Sequence, residues 1–82
     1  MTNEQIRAAF LEELTRVAPD IDPATVAESD HIQDDLELDS MDVLNLVAAL
    51  HARLGVDIPE SEYPHIATLA DAVPYLAARA GT

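Results

Sequence analysis

Apolar residues recur at helical spacing in three stretches of this chain, and proline, glycine and aspartate punctuate the intervals between them. Ile6, Phe10, Leu14 and Val17 form one stripe, which predicts a helix from about Asn3 to Ala18. Thr2 and Asn3 both suit an N-cap, and Thr2 with Gln5 has capping-box spacing. Pro19 stops this helix, because the residue before a proline resists helical geometry. From Pro19 to Asp39 no period is sustained. Asp22-Pro23 reads as a turn and Ala24 to Ala27 as a short helical turn. Ile21, Val26, Ile32, Leu36 and Leu38 are spaced along this long loop and are expected to pin it to the core.

The second helix is expected to begin near Asp39 or Ser40 and to end near Leu54. Asp39 suits the N-cap, Asp42 puts an acid where the helix dipole favours it, and Gly55 is a natural stop. Pro59 opens a short helix expected to run through Tyr63 and to end at Pro64. The last helix lies within Thr68 to Arg79, with Leu69, Ala72, Val73 and Leu76 inward. Pro74 is awkward there, since an interior proline removes a hydrogen bond. A late start, with Ala70 or Asp71 near the cap, would place Pro74 in the first turn; the alternative is a kink. The expected fold is all-α: a small bundle of three main helices plus one short helix, with a long loop between helices one and two, in a single domain spanning residues 1–82.

The second helix is apolar on two sides. Val43, Leu46, Val47, Leu50 and Leu54 share the side expected to face the core. Met41, Leu44, Asn45, Ala48 and Ala52 stand opposite. A few short helices hardly bury one of their number all round, so the second face reads as a surface for a partner. Methionine suits such a surface because it adapts to several shapes.

Charge sharpens that reading. Sixteen acids face four arginines and no lysine in 82 residues, a net charge of −12. Such a chain repels nucleic-acid phosphates and anionic membranes and attracts basic partners. Seven of the acids fall between Glu28 and Asp42, with neither lysine nor arginine among them. With no cysteine, thiol chemistry has to be imported. Neither a signal-peptide pattern nor an apolar run long enough to span a bilayer is present, so a cytoplasmic protein is expected.

The stretch Asp35-Leu36-Glu37-Leu38-Asp39-Ser40-Met41-Asp42 resembles the modification site of acyl carrier proteins, where Asp-Ser-Leu or Asp-Ser-Met opens the second helix. Leu54-Gly55-Val56-Asp57-Ile58-Pro59 and Thr68-Leu69-Ala70-Asp71-Ala72-Val73 look like two further segments of that family, in register. The resemblance implies that a phosphopantetheinyl transferase moves a 4'-phosphopantetheine arm from coenzyme A onto Ser40, and that the arm's thiol then carries acyl groups as thioesters. It implies a carrier, not an enzyme, and a shuttle works most simply as a monomer. It also implies that Glu37, Asp39, Met41, Asp42, Leu44, Asn45 and Ala48 form the face that meets the basic patches of acyl-loading and acyl-using enzymes.

Departures from the family pattern are visible too. Asn45 stands where glutamate is frequent, His51 and Arg53 replace further acids, Glu37 takes a position often held by glycine, and Pro74 is unusual. They point to a specialised carrier of lipid or secondary-metabolite synthesis in place of the housekeeping fatty-acid role. An aminoacyl or peptidyl carrier uses the same chemistry and remains an alternative. A cofactor-free acidic adaptor explains the charge and the apolar face but not the position of Ser40. A hydrolase is disfavoured, because Gly-x-Ser-x-Gly is absent; His31, His51 and His65 read as surface or loop residues. Asp35, Glu37 and Asp39 have the alternation of a calcium loop, but Ser40 holds its glycine position and Leu46 its glutamate position, so no built metal site is expected, only weak divalent binding by the clustered acids.

Overall fold

A computed structural model describes residues 1–80. Helix α1 spans Asn3–Val17, α2 Ser40–Leu54 and α3 Leu69–Arg79, with short 3-10 segments at Pro23–Thr25 and Glu60–Ile66. Among the described residues there is no strand, and the expected all-α bundle is found. Helix α1 is the common partner, packing against both α2 and α3, while the second 3-10 segment packs against α3.

Local chemistry sets the helix ends. Thr2 Oγ1 accepts the Gln5 N–H at 3.1 Å and Gln5 Oε1 accepts the Thr2 N–H at 2.9 Å, completing the capping box. Gly55 closes α2 with φ 70°, and its N–H donates to the His51 carbonyl at 2.9 Å. Ile6, Phe10 and Leu14 of α1 meet Val43, Leu46 and Leu50 of α2 and Leu69, Val73 and Leu76 of α3 in one core. Burying Leu- or Phe-sized side chains stabilises the fold by about 1.5–3 kcal/mol each. The long loop is pinned as expected: Ile32 and Leu38 are buried, and Ile21, Val26 and Leu36 are half-buried against them.

Two proline readings need correction. The segment opened by Pro59 continues past Pro64 to Ile66, as a 3-10 helix. Its φ range suits proline, and Ile66, fully buried, rewards the extra turn. Helix α3 starts early, not late. Thr68 Oγ1 accepts the Asp71 N–H at 3.2 Å, and Leu69 is already buried in the first turn. The cap and the burial of Leu69 outweigh the bond lost at Pro74, which lies inside the helix on its exposed side. The carbonyl left without a Pro74 N–H belongs to exposed Ala70, where water can serve it. Pro74→Ala is therefore expected to stabilise the fold by about 1–2 kcal/mol, less than the ~3 kcal/mol of a dry helix interior. Urea unfolding checks this; an unchanged or lower midpoint would contradict it.

The arginines serve the scaffold. Arg53 of α2 reaches Glu12 at 3.0 Å and Glu13 at 2.9 Å on α1. Glu13 is only 3% exposed, and Arg16 adds a second cation at 3.4 Å. The Glu13 carboxylate, then that of Glu12, holds the Arg53 guanidinium above its ordinary pKa. Arg7 pairs with Glu28, and Arg79 approaches Glu62 at 3.6 Å. Arg79 also covers one face of the Tyr75 ring at 3.8 Å, and His65 stacks on that ring at 5.5 Å. Burial, the largest influence on Tyr75, raises its phenol pKa.

Candidate functional site

Asp39 and Asp42 cap the start of α2 reciprocally. Asp39 Oδ1 accepts the Asp42 N–H at 2.8 Å, and Asp42 Oδ2 accepts the Asp39 N–H at 3.4 Å. Ser40 is therefore the first helical residue, not the cap, and its hydroxyl takes no part in the capping box. Its side chain is exposed. An anion attached at this point would meet the positive end of the helix dipole.

Beside Ser40 lies an open groove of about 290 Å³ between α2 and the second 3-10 segment. Met41, Val43 and Leu44 line its apolar wall, with Gln33, Glu60 and Tyr63 opposite. A second cavity of about 370 Å³ continues toward Thr68 and Asp71 and shares Gln33, Val43 and Tyr63 with the first. The groove combines apolar surface with hydrogen-bonding side chains. Gln33, Glu60 and Tyr63 do not stand out in the sequence, because the long loop and the second 3-10 segment come together beside α2 only in the folded chain.

The second face of α2 is exposed, as its pattern predicts. Met41 is 63% exposed and Leu44 49%, so neither tucks beneath the long loop. Asn45, Ala48 and Ala52 continue the exposed stripe, while Val43, Leu46, Val47 and Leu50 are buried and Leu54 half-buried. Glu37 and Asp39 are exposed; Asp42 is half-buried. Asp39 and Asp42 thus both charge the face and build the helix start. Among the described residues, Arg7, Arg16 and Arg53 pair with Glu28, Glu13 and Glu12, and Arg79 approaches Glu62.

Glu37 holds φ 63°, the left-handed region that disfavours residues with a Cβ. Backbone bonds on either side hold it there: Leu36 N–H to the His31 carbonyl at 3.1 Å, and Leu38 N–H to the Ile32 carbonyl at 3.0 Å. The left-handed conformation costs about 1–2 kcal/mol, and glycine would return about 0.5–1 kcal/mol of that as backbone entropy. Glu37→Gly is expected to raise stability by roughly 0.5–1 kcal/mol, read as a higher urea midpoint. A fall would show that the Glu37 side chain stabilises the loop.

Residues 4–73 match the family model described as "Phosphopantetheine attachment site". The acyl carrier protein of Zymomonas mobilis is 36% identical over 92% of this chain and 90% of its own length. That of Campylobacter hominis is 38% identical over 89% and 86%. The solved structure of the acyl carrier protein from Enterococcus faecalis superposes with a TM-score of 0.75 at 27% identity, covering 98% of this chain and 100% of that one. The family match, the relatives and the shared helical bundle show a carrier, not an enzyme, with 4'-phosphopantetheine as its prosthetic group. The chain belongs to the acyl carrier protein family. A phosphopantetheinyl transferase and acyl-handling enzymes are the partners that this membership implies.

Proposed function

We propose that Ser40 is the residue that carries the arm, and that residues 1–82 form one carrier domain delivering acyl groups to enzymes of fatty-acid, lipid or secondary-metabolite synthesis. The observation that carries this reading is the position of Ser40: exposed, at the first turn of a capped helix, beside a groove that suits the arm. In the attachment step the Ser40 oxygen forms an ester bond to phosphorus, the phosphoanhydride of coenzyme A breaks and releases adenosine 3',5'-bisphosphate, and the transferase takes up the hydroxyl proton. The arm's thiol supplies the thioester chemistry that a chain without cysteine lacks. Glu37, Asp39, Asp42, Met41 and Leu44, with Asn45 and Ala48 beyond them, form the docking face. Steering by acids speeds encounter more than it tightens the complex, which suits a carrier that must leave each enzyme.

The carrier works in the cytoplasm as a monomer, binding neither nucleic acid nor membrane. Its charge supports this, and no helix among the described residues is long and apolar enough to cross a membrane. A specialised pathway fits the exposed stripe of α2, where Asn45, Ala48 and Ala52 leave the acids confined to the helix start. Arg53, which replaces an acid, is turned to α1.

The test is intact mass and peptide mapping after incubation with coenzyme A, magnesium and a broad-specificity phosphopantetheinyl transferase. One arm on the peptide containing Ser40 is the expected result; a folded protein that gains nothing from several transferases would refute the reading. Efficient elongation of the acyl form by a housekeeping fatty-acid ketosynthase would overturn specialisation alone.

A further inference from the structure

His31 opens the segment that leads to Ser40. Its half-buried imidazole accepts two backbone N–H groups at Nδ1, from Gln33 and Asp34, both at 3.2 Å. An Asx turn makes the same contacts with a carboxamide or carboxylate oxygen. Here a ring nitrogen takes that role, and only a neutral imidazole with its proton on Nε2 can accept at Nδ1.

The backbone of His31 is equally engaged. Its carbonyl accepts the N–H groups of Asp35 at 2.8 Å and Leu36 at 3.1 Å, and its own N–H donates to Asp35 Oδ2 at 2.7 Å. The next residue, Ile32, donates to the Ala67 carbonyl at 2.9 Å, beside the start of α3. The turn therefore holds one side of the strained bend at Glu37 and fixes Gln33, which lines the groove beside Ser40.

We propose that neutral His31 is a positioning residue for arm attachment, and that its protonation loosens the turn over residues 31–36 and weakens the presentation of Ser40. This rests on Ser40 as the attachment residue. Protonated Nδ1 is a donor, so both bonds are lost. The Asp34 carboxylate, 3.8 Å from Nδ1 and too distant for a hydrogen bond while the ring is neutral, is the acceptor the new N–H would seek. Asp35 accepts the His31 backbone N–H within the turn, and Tyr63 from the 3-10 segment and Thr68 and Asp71 from the start of α3 line the same cavity as His31. Both bonds require the neutral ring, so the turn is ordered at higher pH. Acidification also relieves repulsion across a chain of net charge −12, which opposes the effect on global stability. The readout must therefore be local.

The experiment follows the Gln33 and Asp34 amides of the full chain by NMR between about pH 5 and pH 8, in wild type, His31→Asn and His31→Ala. Asparagine can accept the same two bonds and does not titrate. In wild type the two amides should shift with the midpoint of the His31 ring and lose roughly tenfold in exchange protection below it. His31→Asn should stay protected throughout and His31→Ala unprotected throughout. The rate of arm attachment in wild type, divided by that of His31→Asn, should fall with pH; the ratio cancels the transferase's own pH dependence. Amides that stay protected through the ring's titration, or a flat ratio, would overturn the proposal. Absence of attachment in every form would instead refute Ser40, while the amide titration would still decide the role of His31.

Discussion

Ser40→Ala should gain no arm under conditions that convert the wild type completely, while keeping its helical content and melting temperature. The loss is total because the substitution removes the only atom through which the ester forms. The fold survives because the side chain is exposed and the capping box is made by Asp39 and Asp42. Alanine is also the best helix former, so the first turn of α2 is not weakened. The chain has two other serines, Ser29 and Ser61, both exposed. Neither sits at the start of an α-helix beside the groove. Ser29→Ala and Ser61→Ala should therefore load like the wild type. Intact mass after incubation with transferase and coenzyme A reads all three. Loading of Ser40→Ala would move the site elsewhere, and its unfolding would show that Ser40 has a structural role that the geometry does not indicate.

How far this site was legible in the sequence follows from the range of the interactions that build it. Caps act within one turn, so Thr2 with Gln5, Asp39 and Gly55 could be read directly from their spacing. The two faces of α2 were legible for the same reason, because one helical period sorts Val43, Leu46, Val47 and Leu50 from Met41 and Leu44. Pro74 misled because the local cost of an interior proline is large. The Thr68 cap and buried Leu69 nonetheless start α3 two to three residues earlier. Pro64 misled in a related way, since a 3-10 helix tolerates what an α-helix would not. Glu37 was noticed as a non-glycine at a glycine position, but its positive φ emerges only from the bonds of its neighbours. The role of His31 depends on which ring atom faces the Gln33 and Asp34 amides, and residue spacing carries no signal for that. The groove joins Gln33, Ser40 and Tyr63 from separate segments, which tertiary packing alone brings together.

Leu44→Arg should raise the KM of the transferase for this protein by roughly 10–100-fold with little change in kcat, because it places a cation at the centre of the proposed acidic docking face. Leu44 is 49% exposed and stands outside the buried core, so the fold should lose no more than about 0.5 kcal/mol. Two effects combine. The apolar anchor beside Met41 is lost, and the new guanidinium offsets the field of Glu37, Asp39 and Asp42 that attracts a basic partner. A control separates the local field from total charge. Leu44→Arg changes the net charge from −12 to −11, whereas Asp57→Arg, at an exposed position after α2, changes it to −10. If total charge governed encounter, Asp57→Arg would do the greater damage. If the face governs it, Leu44→Arg will dominate and Asp57→Arg will change KM only a few-fold. Salt gives a second check: KM for the wild type should rise with ionic strength, and more shallowly for Leu44→Arg, whose attraction is already weakened. Equal KM values for Leu44→Arg and wild type would remove this face of α2 from the docking surface and leave its exposed apolar residues without a role. A large effect confined to Leu44→Arg would tie the apolar patch and its ring of acids to one function, the recognition of basic partners at the helix that presents Ser40.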